Sequence, residues 1–365
     1  MRGSAPGPAS PAAPLSEAEA LSALVARLKA KVQSYLESRH DAQEQHDHLQ
    51  HVAARTRWLY SNELQRQAAG GEVTISAHDN DLIDACVYSH DMGKWIPRNE
   101  LHAIFSDERT LLEPIFRELR FSPDQQELLL LGIRRRFHLP QDGFTPEYDA
   151  AHHLVSAYML ATQDDLAFHS LSAADQLQLV NMVVGHQFGS YFKGSLLSLS
   201  LHDREVTTGM LVDSARSDRL AGDVLSSVFH DADISDLLFV GSVENLADGT
   251  ERLHSGGLIK ILLINFTNLL HGAPQAPANL DEVLLSCQST VNNACKEFLT
   301  PTAIECGQVW REEARGFMDA IRQPAPTAKI NAALTAPGQS PSERRLAVRE
   351  LIYSYAMDFL KGGES

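Results

Sequence analysis

The sequence predicts an all-α fold. From Ser16 onward apolar residues recur at helical spacing in nearly every segment, Ser16 and Glu19 form a capping-box pattern ahead of the first of them, and the one early strand candidate is the short patch Val73 to Ile75.

In chain order, Leu21, Leu24, Val25 and Leu28 mark a first helix and Val52, Leu59 and Leu64 a second. Gly70-Gly71 breaks the chain, and Leu82, Ile83, Val87 and Met92 mark a third. Further helical stretches are read near Leu111–Leu119, Asp124–Arg136, Ala150–Ala161, Ala173–Val184, Thr207–Ser214 and Arg219–Phe239. Others follow near Gly257–Leu270, Leu280–Leu299, Thr302–Ile321 and Glu343–Leu360. Pro140 to Pro146 reads as a loop and Gln187 to Ser200 as irregular. Residues 1–15, rich in Ala, Pro, Gly and Ser, read as a flexible leader, and residues 16–322 as one helical body. Residues 323–342, rich in Pro and Ala, read as a linker, and residues 343–365 as a C-terminal helix. In that helix Val348, Leu351, Ile352, Tyr355 and Phe359 share one stripe, which is expected to pack back on the core; contact with a partner, including a second copy, is the alternative.

The formal charge of −16 over 365 residues argues against binding nucleic-acid duplexes or anionic membrane surfaces. It leaves room for a small phosphorylated substrate, because bound divalent cations reverse the local field. The four cysteines lack CxxC spacing, so neither a disulfide framework nor a thiolate zinc site is expected and a reducing cytoplasm fits best. The longest apolar run, Leu258 to Ile264, is interrupted by Lys260 and is too short to span a bilayer.

Of the 16 histidines, several sit beside aspartate inside apolar stretches. Imidazole and carboxylate are costly to bury unpaired, and a metal ion offsets both costs. In His46-Asp47-His48-Leu49-Gln50-His51-Val52, His48 lies one turn before Val52 and so over the core. His90-Asp91-Met92-Gly93-Lys94 ends a buried-looking helix with adjacent ligand types. Gly93 leaves room beside them, and Lys94 offers a point charge for a phosphate.

In order and context, His48, the His90-Asp91 doublet with its HDxGK form, and Ala232-Asp233 resemble the signature of the HD-domain superfamily of metal-dependent helical proteins, most of them phosphohydrolases. The resemblance implies a helical bundle, here with additional C-terminal helices, and a metal centre. His152-His153 and His186 resemble the two further ligand histidines of dinuclear members. The implied ligand set is His48, His90, Asp91, His152, His186 and Asp233, with Asp91 bridging, His153 the rival of His152 and Asp231 the rival of Asp233. Asp91 and Lys94 are the implied catalytic residues, and two divalent ions (Mn, Fe, Co, Ni or Zn) the implied cofactors. Phosphate-ester hydrolysis by an activated water, with a nucleotide among the candidate substrates, is the expected activity. A mixed-valence di-iron oxygenase and a non-catalytic ligand sensor are the alternatives. Departures from the cyclic di-GMP branch are plain, since its Gly-Tyr-Pro element is missing and Gln187 stands where its second paired histidine would be. His78, His102, His138, His169, His202 and His254 read as surface residues or caps, and Arg134 to Arg136 as a solvated helix face, a place over a phosphate-binding cleft being the alternative.

Overall fold

A computed structural model describes residues 16–37, 39, 41–68, 73–95, 123, 152–193, 198–201, 204–207, 224–272 and 276–362. Helices dominate, as the apolar spacing predicts. α1 (Glu17–Leu36) buries Leu21, Leu24, Val25, Leu28, Val32 and Leu36 along one face, and Ser16 and Glu19 close the capping box at its start. Such a cap is worth about 1 kcal/mol. α2 (Ala42–Gln67) buries His48, Leu49, Val52, Thr56, Leu59 and Glu63. α3 (Ala77–Ser89) starts at the Ser76 cap and buries Leu82, Ile83, Cys86 and Val87. The short α4 (Met92–Trp95) follows directly, then α5 (His152–Thr162), α6 (Ala173–Lys193) and α7 (Val224–Asp236). The distal helices are α8 (Gly257–His271), α9 (Leu280–Ala294), α10 (Pro301–Ile321), α11 (Pro324–Leu334) and α12 (Pro341–Leu360).

Two apolar clusters organise these helices. The first gathers α1, α3, α5 and α6, and the second α8 to α12. α2 and α7 serve both: Leu49, Val52, Leu225 and Phe229 join the first cluster, and Leu59, Val228 and Ala232 the second. The two helices pack against each other, with α7 also against α6, so they form the seam on which the polar centre is built.

Several expectations are corrected. Gln187 to Ser200 is not irregular throughout: α6 continues to Lys193, and Ser198 to Ser200 lie in β1 (Ser198–Leu201), which pairs antiparallel with β2 (Arg204–Thr207). Thr207 therefore ends a strand and opens no helix. A second hairpin, β3 (Gly241–Asn245) with β4 (Glu251–Ser255), was not foreseen, although Asp248-Gly249 at its turn is a standard signal, with Gly249 at φ 82°. Residues 323–342 are not an extended linker, because α11 occupies Pro324–Leu334 and buries Ile330 and Leu334. Pro324 sits where a helix start tolerates proline, and the alanines then favour helix. Val73 to Ile75 joins no sheet among the described residues. The stretches Leu111–Leu119, Arg134 to Arg136 and Pro140 to Pro146 lie outside the described residues, as does Asp124–Arg136 as a whole.

The C-terminal stripe does pack inward. Val348, Ile352 and Ala356 are buried, α12 lies on α8, and the Tyr353 hydroxyl donates to Glu44 at 3.1 Å. Among the described residues no helix is long and apolar enough to cross a membrane.

Candidate metal centre

Five helices, α2, α3 with its C-cap, α5, α6 and α7, deliver the side chains at the seam. His48 comes from the middle of α2, and His90 caps α3 with Asp91 just beyond. His152 opens α5, His186 lies in α6 and Asp233 in α7. All six are buried. Gly93 makes the juncture possible: a Cβ there would lie 2.4 Å from the His152 carbonyl oxygen, and its N–H donates to Ser156 Oγ at 2.8 Å. Only glycine lets α4 approach α5 so closely.

The six side chains converge. His48, His90 and Asp91 form one group whose potential ligand atoms lie within 4.8 Å of one another, and Asp91, His152 and His186 form another. Asp91 belongs to both. Its Oδ2 is 3.7 Å from His48 Nε2, while its Oδ1 is 3.6 Å from His90 Nε2, 3.3 Å from His152 Nε2 and 3.9 Å from His186 Nε2. Asp233 Oδ1 closes the first group, 3.4 Å from His48 Nε2 and 3.6 Å from His90 Nε2. Lys94 Nζ sits on Asp91, 2.8 Å from Oδ1.

The tautomers decide what this arrangement can hold. His90 Nδ1 donates to the Val87 carbonyl at 2.8 Å, His186 Nδ1 to the Val183 carbonyl at 2.6 Å, and His48 Nδ1 to Asp236 Oδ2 at 2.8 Å. Each of these three rings then turns its Nε2 inward: His48 Nε2 lies 3.4 Å from His90 Nε2, and His186 Nε2 lies 3.2 Å from His152 Nε2. Ligands about 2.0–2.2 Å from one ion at tetrahedral to octahedral angles stand roughly 3.0–3.5 Å apart. The spacing and the inward Nε2 atoms fit divalent cations, and the Nδ1 partners of His48, His90 and His186 are the outer hydrogen bonds that orient metal-ligating imidazoles. The buried His/Asp groups can therefore hold metal ions.

Electrostatics agree. Burial holds His186 down at about 4, so its imidazole is neutral and able to ligate. Burial would also depress His90, but Asp91 and Asp233 outweigh it and raise its pKa; the Nε2 proton this favours is shared with Asp233 and is the one a bound cation would displace. For Asp91, burial pushes upward, yet Lys94 and the surrounding histidines hold it well below the usual carboxylate range. Asp233 is likewise lowered against burial, chiefly by the hydrogen bond with His90. Asp236 is held at about 2 against burial, chiefly by the hydrogen bond from His48 at 2.8 Å, with the His51 ring 3.6 Å from its other oxygen.

Both rivals have distinct places. Asp231 accepts from the backbone N–H of Leu299 and of Thr300 and from Thr300 Oγ1, which ties α7 to the start of α10. His153 lies beside the group, its ring 5.7 Å from that of His152 and 6.2 Å from that of His186, and burial and its charged neighbours depress it strongly. Of the remaining histidines, His78 pairs with Asp175 at 3.0 Å and His169 is exposed. His254 is not a plain surface residue: its ring is half-buried and bridges Asp47 at 3.0 Å and Glu244 at 2.9 Å. His102, His138 and His202 lie outside the described residues.

Three participants escaped the sequence reading. Asp236 orients His48; its place one turn after Asp231-Ala232 was the available signal. His230 donates to the His186 carbonyl at 2.9 Å and so braces α6 against α7. Lys260, from the distal half, donates to Gln45 Oε1 at 3.0 Å and has its pKa lowered by burial and then by Lys94. It is thus a second cation near Lys94, and its only hint was a lone lysine within an apolar run. Neither a family model, nor a curated protein, nor a solved structure matches this chain.

Proposed function

We propose that this chain is a member of the HD-domain superfamily and a metal-dependent phosphohydrolase acting on a small phosphate ester, a nucleotide among the candidates. The observation that carries the reading is the Asp91 carboxylate shared between two groups of buried imidazoles, with one oxygen toward His48 and the other toward His152. Paired divalent ions, when bound, polarise phosphoryl oxygens and bring the pKa of water near neutrality. His48, His90, His152, His186, Asp91 and Asp233 would hold them. Lys94, partly exposed and adjacent to Asp91, supplies a positive charge for the non-bridging oxygens of the substrate. Lys260 adds a second charge from the opposite helix, held in place by Gln45. Asp236 keeps the His48 ring in register without touching substrate.

The test is metal analysis of the purified protein followed by a turnover screen against nucleotides, phosphomonoesters and phosphodiesters. Bound metal and metal-stimulated phosphate release are expected. Asp91→Ala should remove both, with turnover falling on the order of 10³-fold or more. A protein that holds no metal and shows no metal-stimulated turnover overturns the reading. Oxygen uptake by an iron-loaded protein that cleaves no phosphate ester would move it to the oxygenase reaction.

A further inference from the structure

Lys260 reaches the metal centre from the distal half of the fold, and its place is fixed from two sides. α8 begins hard against the end of α7. A Cβ on Gly257 would lie 2.7 Å from the Asp236 carbonyl oxygen and 2.8 Å from Asp236 Oδ2, the atom that holds His48. Lys260 follows Gly257 by three positions, close to one helical turn. On α2, Gln45 precedes His48 by the same interval, and its Oε1 accepts from Lys260 Nζ at 3.0 Å. Lys260 and Gln45 thus meet one turn away from the Asp236–His48 pair.

The partner chosen for this ammonium leaves its charge available. Gln45 is buried and neutral, so its amide oxygen orients the cation without cancelling it. Asp41, which accepts from Gln45 Nε2 at 2.8 Å, is already paired through both oxygens with Arg39. Among the described residues Lys260 forms no ion pair with a carboxylate. Burial lowers its pKa and Lys94 lowers it further, against the pull of Asp91, Asp236 and Asp41. Lys94, itself seated on Asp91, therefore lies within the field of Lys260. Two ammoniums held in each other's field beside one centre are complementary to an anion that carries more than one charge. Lys260 is only half-buried, so such an anion can reach it.

We propose that Lys260 determines substrate class, selecting a terminal phosphate over a phosphodiester. The inference rests on the hydrolase reading and narrows it. A terminal phosphate carries about −1.5 to −2 at neutral pH and has three unesterified oxygens. A diester carries a single charge and has two. With two oxygens engaged at the centre beside Lys94, the third is the one left for Lys260. In a diester that oxygen bears a carbon substituent, so the ammonium loses a charged acceptor in a partly buried site.

The experiment is steady-state kinetics of the full, metal-loaded chain on p-nitrophenyl phosphate and on methyl p-nitrophenyl phosphate, which share a leaving group and differ by one methyl. The two esters differ in intrinsic reactivity, so the readout is the change in their kcat/KM ratio. Lys260→Met is expected to lower kcat/KM about 10²-fold for the monoester and at least about tenfold less for the diester. Lys260→Arg keeps the charge and should recover most of the monoester loss, with metal content at the wild-type value in both variants. Calorimetric titration gives a readout without turnover, and on the wild type it needs no variant to fold. Inorganic phosphate should bind at least about tenfold more tightly than dimethyl phosphate, a monoanion, and Lys260→Met should narrow that gap. An unchanged ester ratio in Lys260→Met, a loss that Lys260→Arg does not recover, or phosphate binding no tighter than dimethyl phosphate would overturn the proposal. Turnover of neither ester by metal-loaded protein defeats the hydrolase reading and this inference with it. Turnover of both with an unchanged ratio defeats this inference alone.

Discussion

At Gly93 a single missing methyl group controls the metal centre. The residue follows the His90-Asp91 doublet by two positions, and its Cα faces the backbone of His152. A Cβ there would stand 2.4 Å from the His152 carbonyl oxygen and 2.9 Å from Val155 Cβ, so α5 must retreat. Because His152 opens α5, the retreat carries its Nε2 away from Asp91 Oδ1, now 3.3 Å distant. Gly93→Ala is therefore expected to lower metal affinity by about tenfold or more, while the helical signal in circular dichroism is retained. Wild-type metal content in that variant would show that α5 yields without moving the ligand. The same reasoning separates the paired candidates. Asp233 contacts two imidazole Nε2 atoms, whereas both Asp231 oxygens are occupied by backbone donors. Asp231→Ala leaves the buried Thr300 N–H without that acceptor and should cost about 2–4 kcal/mol in denaturant unfolding, with metal content unchanged.

At the scale of elements, α2 is held by more than its apolar stripe. Asp47, buried one residue before His48, accepts from Gln43 Nε2, His254 Nδ1 and the Ser255 N–H, which fastens β4 to α2. His254 also meets Glu244 across the β3–β4 hairpin, and these two hydrogen bonds, Glu244 before Asp47, raise its pKa above 6.5. A raised histidine contributes stability that is fully present below the unfolded value of about 6.5 and is lost as pH climbs through the folded value. The unfolding midpoint is thus expected to fall over that interval, and His254→Gln should flatten the slope; an unchanged slope would count against the bridge. How much of this was legible follows from the kind of signal each feature leaves. α1, α3 and α8 announce themselves through apolar spacing, and the His90-Asp91 doublet through two costly residues at the end of an apolar stretch. Asp47 and His254 left no such trace, because a buried polar tie between segments 207 positions apart exists only in space. The helix at Pro324–Leu334 was hidden by its prolines, which read as linker until their place in the first turn is known.

Across the whole molecule, the ligand groups span His48 to Asp233 and lie on α2, α7 and the three elements between them that carry His90-Asp91, His152 and His186. α2 and α7 also carry the seam between the two apolar clusters, so whatever binds the centre joins both halves of the fold. Without cations the two buried carboxylates are balanced by Lys94 and the surrounding imidazoles alone, in a chain whose formal charge is already −16. Ions that bind only the folded state add to its stability by mass action. At free metal near a hundred times the dissociation constant the gain is about 2.7 kcal/mol. For a chain of this length that corresponds to a rise in Tm of about 3 °C or more. Stripping the protein with a chelator should lower Tm by at least that amount, and adding back Mn, Fe, Co, Ni or Zn should restore it. Asp91→Ala, which removes the carboxylate common to both groups, should lose the response to chelator and metal alike. If chelation leaves the wild-type melting curve where it was, or if Asp91→Ala responds as the wild type does, the ions do not join the two halves through these residues.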